Sequence, residues 1–134
     1  MGSCEPVEFL DLYDLLALTE ALLGDPPPIR DVGLLEAAAA RPQTSVFGED
    51  AYPDLWAKAA ALLQSLVKGH PLVDGNKRLG WLATATFLQI NGVAVTRISN
   101  DDVYDLMIDV AAGHHEVSDI ATRLRKLMEA EAGR

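Results

Sequence analysis

Nine consecutive residues, His70-Pro71-Leu72-Val73-Asp74-Gly75-Asn76-Lys77-Arg78, put an imidazole, a carboxylate, a glycine, an amide and two cations directly ahead of a helical pattern. These groups suit the binding of a phosphate at a helix N-terminus and the activation of a hydroxyl beside it. A helix start leaves backbone N–H groups without partners and carries partial positive charge, so anions bind there. Gly75 lets a phosphate approach the backbone with no Cβ in the way. Lys77 and Arg78 add charge, and a guanidinium can hold two phosphate oxygens at once. Asn76 offers an amide donor to a phosphate or to the loop backbone. Asp74 is placed to share one Mg²⁺ with phosphate oxygens, since that ion commonly takes one or two carboxylates. Imidazole exchanges a proton near neutral pH, which makes His70 the candidate general base for an incoming hydroxyl. Lys68, just before the loop, either reaches a phosphate or complements the C-terminal dipole of the preceding helix.

Plainer readings stand beside these. Asp-Gly is a common turn pair, Asp is a good helix cap, and a His before Pro can be an ordinary loop residue. Spacing alone leaves both readings open. The stretch is not a P-loop, because the Gly-x-x-x-x-Gly-Lys-Ser/Thr pattern is absent.

The elements that must position this loop read as helices nearly throughout. Phe9 to Leu23 has apolar residues at helical spacing and is stopped by Gly24-Asp25-Pro26-Pro27-Pro28. Asp31 caps a helix running through Ala40 to Arg41-Pro42. Gln43 to Tyr52 has no helical period, and Val46-Phe47-Gly48 reads as an extended flap or a plain loop. Pro53 in the first turn opens a third helix, Asp54 to Lys68, closed by Gly69. Gly75 to Ile90 is apolar on more than one side, as a helix in the middle of a domain is, and ends at Asn91-Gly92. Ser99 or Asn100 caps a helix through Val110, and Ser118 caps the last, Ile120 to Glu129. The sum is an all-α, compact bundle of about six helices with a short flap. It forms a single domain over 1–134 with its core at 8–128 and a loose terminus at 1–7.

The 134 residues are 49% apolar, enough for a real core. No apolar run approaches the ~20 residues of a spanning helix, and the first residues lack a secretory pattern. The single Cys4 excludes an internal disulfide framework and fits a reducing, cytoplasmic setting. A formal net charge of −9 argues against direct nucleic-acid backbone binding. The clustering of Lys68, Lys77 and Arg78 on so acidic a chain points instead to a small polyanion such as a nucleotide. His114-His115-Glu116 invites a metal reading, but adjacent histidines diverge on a helix and no partner cluster stands near in sequence, so it reads as a polar turn.

The loop resembles the signature of the Fic superfamily, His-x-Phe-x-Asp/Glu-Gly-Asn-x-Arg. It is most similar to the death-on-curing (Doc) branch, which has Asn-Lys-Arg where most Fic enzymes have Asn-Gly-Arg. Arg30-Asp31-Val32-Gly33-Leu34-Leu35-Glu36, Arg41-Pro42, Tyr52-Pro53-Asp54-Leu55, Lys58-Ala59-Ala60 and Asn91-Gly92 extend the likeness in order and spacing over about residues 8 to 128. The resemblance implies a helical fold that transfers part of a nucleotide to a protein hydroxyl, with ATP and Mg²⁺. By position, His70 is the general base, Asp74 holds the metal, and Gly75, Asn76, Lys77 and Arg78 bind phosphates.

Three departures bear on the reaction. Lys77 stands where AMP-transferring members have a small residue. Trp81 stands where they usually carry a second arginine. Leu72 replaces the Phe that anchors the loop. The first two imply a nucleotide presented by its γ-phosphate, as in the Doc branch. The expectation is therefore a kinase-like toxin of a bacterial toxin–antitoxin pair. Its target would be a translation protein such as an elongation factor. A separate antitoxin would restrain it through an amphipathic helix, since the inhibitory Ser/Thr-x-x-x-Glu-Gly/Asn motif is met only by a failed match at Ser45–Asp50. The alternatives are AMP transfer, or a degenerate module that only binds a nucleotide or a partner.

Overall fold

A computed structural model describes residues 6–95, 98–113 and 115–132. Cys4, with most of the terminus read as loose, and His114 lie outside the described residues. Six α-helices are described: α1 (Leu12–Leu23), α2 (Val32–Ala40), α3 (Leu55–Gly69), α4 (Asn76–Ile90), α5 (Asn100–Ala112) and α6 (Val117–Ala132). A 3₁₀ turn (Arg41–Gln43) follows α2, and one antiparallel hairpin joins β1 (Ser45–Val46) to β2 (Glu49–Asp50). The all-α reading holds.

Short polar side chains decide where the helices begin. Asp11 accepts from the Asp14 N–H at 2.9 Å, and the Asp14 carboxylate accepts from the Asp11 N–H at 2.9 Å. This reciprocal capping box moves the start of α1 from Phe9 to Leu12. Asp31 caps α2, Asp54 caps α3 and Ser99 caps α5, each accepting from a backbone N–H three residues on. Pro53 therefore lies outside α3, not in its first turn. At α6 the Glu116 N–H donates to the Asp119 carboxylate at 3.3 Å, so Ser118 falls inside the helix and does not cap it.

The core gathers around α3, which packs against α2, α4, α5 and α6. Leu62, Leu63, Leu66 and Val67 on α3 are buried with Leu15, Leu35, Phe87, Leu106 and Leu124 from the surrounding helices. Each such side chain contributes about 1.5–3 kcal/mol by leaving water. Contact between α3 and α4 is close at Gly80, where a Cβ would stand 2.7 Å from Val67 Cγ2. Order reaches further toward the N-terminus than residue 8. Val7 packs on the core, and Glu8 exchanges two 2.9 Å hydrogen bonds with the Asn91 amide.

The flap is a tight hairpin. Phe47 (φ 52°) and Gly48 (φ 81°) both take left-handed backbone, as a two-residue hairpin turn with the sheet's own twist requires. The Phe47 ring is fully exposed. The base is fastened instead. Arg41 lies over the Tyr52 ring, donates to its hydroxyl at 2.9 Å, and reaches Gln64 and Ser65 on α3. Lys58, 4% exposed, donates to the Asp50 carboxylate at 3.1 Å and to the Tyr52 carbonyl. A buried ammonium needs such partners. No helix among the described residues is long and apolar enough to cross a membrane.

Candidate active site

The chemistry-bearing loop hangs between the end of α3 and the start of α4. Gly69 does not close α3 as the sequence reading has it. It is the last helical residue, and His70 itself takes the left-handed position, φ 53° and ψ 55°. After it, residues 71–73 run alongside residues 28–31. The Arg30 and Asp31 N–H groups both donate to the Pro71 carbonyl, at 2.8 and 3.0 Å, and the Val73 N–H donates to the Pro28 carbonyl at 2.8 Å. Leu72, 1% exposed, fixes the loop into the core, so leucine fills the anchor role in which the resembling signature has Phe.

Asn76 ties the loop from inside. Its Oδ1 accepts from the Leu72 N–H at 2.9 Å and its Nδ2 donates to the Leu72 carbonyl at 3.1 Å, which settles which way the amide faces. Nδ2 also lies 3.3 Å from His70 Nδ1. With the amide so oriented it offers an N–H to that nitrogen, and the neutral ring then keeps its own proton on Nε2. Of the two uses the sequence left open for this amide, the side chain serves the loop and His70 in this structure.

Gly75 is required twice. Its φ is 89°, and a Cβ there would meet Leu23 Cδ1 at 2.7 Å. It also leaves α4 without a side-chain cap, unlike α1, α2, α3 and α5. The first turn of α4 holds no acidic residue and carries Lys77 and Arg78 instead, opposite to what a helix dipole favours. An N-terminus left open and flanked by exposed cations has the charge and the free donors that suit an anion.

His70, Asp74, Gly75, Asn76, Lys77 and Arg78 all line one cavity of about 350 Å³, and Val67, Val73 and Ala111 form its apolar wall. That volume lies within the usual range for small-molecule sites. Asp74 is exposed, and one carboxylate oxygen accepts from the Gly75 N–H at 2.9 Å. Lys68 is not among the lining residues. A Cβ at Gly113 would stand 3.3 Å from its Nζ, so the ammonium lies against the C-cap of α5, at the negative end of that helix dipole. His115 uses its carbonyl to accept from Gln64 Nε2 at 3.1 Å. Trp81 is half-buried on α4, one turn beyond Arg78.

Two contributors escaped the sequence reading. Arg30 Nε donates to the His70 carbonyl at 2.7 Å and its Nη2 to the Gly69 carbonyl at 3.2 Å. Ala111 reaches the cavity from α5. Neither carries a local signal, because both lie more than thirty residues from the loop. A second, larger groove of about 610 Å³ runs between α2 and α3. It is lined by Leu34, Ala37 and Ala40 on one side and by Gln64, Lys68 and Gly69 on the other.

Comparison with known proteins agrees with this architecture. The model of the Fic/DOC family matches residues 9–88, the span that contains α1 to α3, the hairpin, the whole loop and most of α4. A relative from Mycolicibacterium smegmatis (strain ATCC 700084 / mc(2)155), named Toxin Doc, is 51% identical over 118 residues. That match covers 87% of this chain and 91% of the relative. The match runs through the whole loop that presents His70 and Asp74 beside the open start of α4, and this chain belongs to the Fic/DOC family.

Proposed function

We propose that this chain is the toxin of a bacterial toxin–antitoxin pair and that it moves the γ-phosphate of ATP to a hydroxyl of a protein needed for translation. The observation that carries the reading is the uncapped start of α4, with Lys77 and Arg78 in its first turn and His70 in the same cavity. Phosphate oxygens seat on the first N–H groups of α4, with Lys77 and Arg78 taking up their charge. The apolar wall of Val67, Val73 and Ala111 offers a surface for the nucleoside. Asp74 suits a metal that arrives with phosphates: it is exposed, it lines the cavity, and Mg²⁺ needs only one or two carboxylates beside phosphate oxygens. When bound, the ion would neutralise charge on the transferring group.

His70 removes the proton from the target hydroxyl. The hydroxyl oxygen bonds to the γ-phosphorus, the bond to the bridging oxygen breaks, and ADP leaves. A ring that accepts at Nε2 carries its other proton on Nδ1, so base action goes with release of the Asn76 contact. Lys77 and Trp81 favour the γ-phosphate, because they replace the open loop and second arginine that the resemblance associates with attack at the α-phosphate. The hairpin is the element to hold an extended target by strand addition.

The relative's name, Toxin Doc, supports the toxin reading and with it a restraining antitoxin. The groove between α2 and α3 suits an amphipathic antitoxin helix, since it is lined by Leu34, Ala37 and Ala40 and ends at Gly69, next to His70. The test of the reaction is incubation with bacterial lysate and ATP labelled at the α- or the γ-phosphate. Label from the γ-position is expected on a protein. Retention of the α-label would assign AMP transfer, and no label from either position would leave a nucleotide- or partner-binding module.

A further inference from the structure

His70 occupies a backbone conformation that side chains with a Cβ rarely adopt. At a helix end that place usually belongs to glycine. Here the glycine comes one residue early, at Gly69, and the imidazole takes the strained position. Something outside the loop has to hold it there, because the carbonyls at a helix C-terminus lack intrahelical partners.

We propose that Arg30 is a positioning residue for His70: its guanidinium clamps the last carbonyls of α3 and so fixes where the imidazole stands. One side chain spans both groups, donating from Nε to the His70 carbonyl at 2.7 Å and from Nη2 to the Gly69 carbonyl at 3.2 Å. The planar fork of arginine matches two adjacent acceptors, whereas a lysine ammonium is a single point charge. Arg30 is in turn held by its own backbone. Its N–H and that of Asp31 share the Pro71 carbonyl, and Ile29 bridges to Leu72. The guanidinium and the backbone of one residue therefore engage both sides of His70, at Gly69–His70 and at Pro71. Arg30 does not line the cavity, and its guanidinium donates to the Gly69 and His70 carbonyls, so its effect on the site runs through the backbone that carries His70.

Only the kinetic arm of the test rests on the group transfer proposed above. Arg30 is exposed, so Arg30→Ala should fold, and Arg30→Lys serves as the conservative variant. A misplacement on the order of 1 Å lowers turnover about 10²-fold. Arg30→Ala should lose turnover on that scale and leave the KM for ATP within about twofold, with Arg30→Lys between it and the parent. Independently of activity, the His70 imidazole signals can be identified by NMR through their disappearance in His70→Ala. They should shift or broaden in Arg30→Ala. Unchanged His70 signals in both Arg30 variants would overturn the clamp, as would a loss of ATP affinity in step with turnover. If the parent transfers no label to any protein, the functional reading fails while the NMR arm still decides the role of Arg30.

Discussion

Substituting Gly80 by alanine sets two opposed effects against each other at the crossing of α3 and α4. Alanine in a helix interior is favoured over glycine by about 1 kcal/mol. Against that, the new methyl would stand 2.7 Å from Val67 Cγ2 and 3.3 Å from Leu63 Cδ1. Val67 is β-branched and 1% exposed, so it has few rotamers with which to give way. Inserting a methyl into a packed core costs typically about 1–3 kcal/mol. The strain should win by about 1 kcal/mol, which for a domain of this size lowers Tm by roughly 3–5 °C. Gly69→Ala is the control, because a Cβ there meets nothing within 4 Å, and it should be neutral or slightly stabilising. Urea unfolding followed by circular dichroism measures both variants. Gly80→Ala should also lower transfer activity, since the crossing sets the spacing between His70 at the end of α3 and Lys77 and Arg78 at the start of α4. A stabilised, fully active Gly80→Ala would refute the reasoning.

His70→Ala should keep the parental circular dichroism and melting curve while transfer falls about 10²–10⁴-fold, the usual scale for loss of a general base; a parental rate would remove His70 from the chemistry. Asn76→Ala leaves the N–H and C=O of buried Leu72 without their side-chain partner, and urea unfolding should register a loss of about 1–3 kcal/mol. Expression of the chain alone should slow bacterial growth, and co-expression of its antitoxin should restore it; normal growth with soluble protein present would count against a toxin. Leu34→Asp puts a charge into the groove beside α2 and should leave the growth arrest intact while weakening the antitoxin's relief of it, a pairing read from the same growth curves.

The sequence made the helices legible because apolar period and breakers coincide. Three prolines after Gly24, the Asp31 and Asp54 caps and Asn91-Gly92 each mark a boundary that a local rule explains. Errors arose where a side chain reached a few residues to claim a backbone N–H. Asp11 shortened α1, and Asp119 took over the start of α6 from Ser118. Of the candidate site, the loop residues share one cavity because they share one turn of chain. Lys68 was close in sequence, but the direction of its side chain depends on α5, which no local pattern reveals. Arg30 and Ala111 come from distant segments, and Asn76 could be assigned to the loop only once Leu72 was seen to take both ends of its amide.

The hairpin is fastened at its base and free at its tip, and that division bears on how the proposed grip on a target can change. Tyr52 and Asp50 are gripped by Arg41 and Lys58, so substitutions there disturb α3 as well. Phe47 touches solvent only and holds a left-handed backbone that a glycine or asparagine would adopt more easily. Gly48 has to stay, because its φ of 81° strains any residue with a Cβ, whereas variation at residues 46 and 47 is nearly free of any penalty to the fold. A library randomised over those positions should yield mostly folded proteins, and selection among them could retune which polypeptide is gripped without first evolving compensating stability.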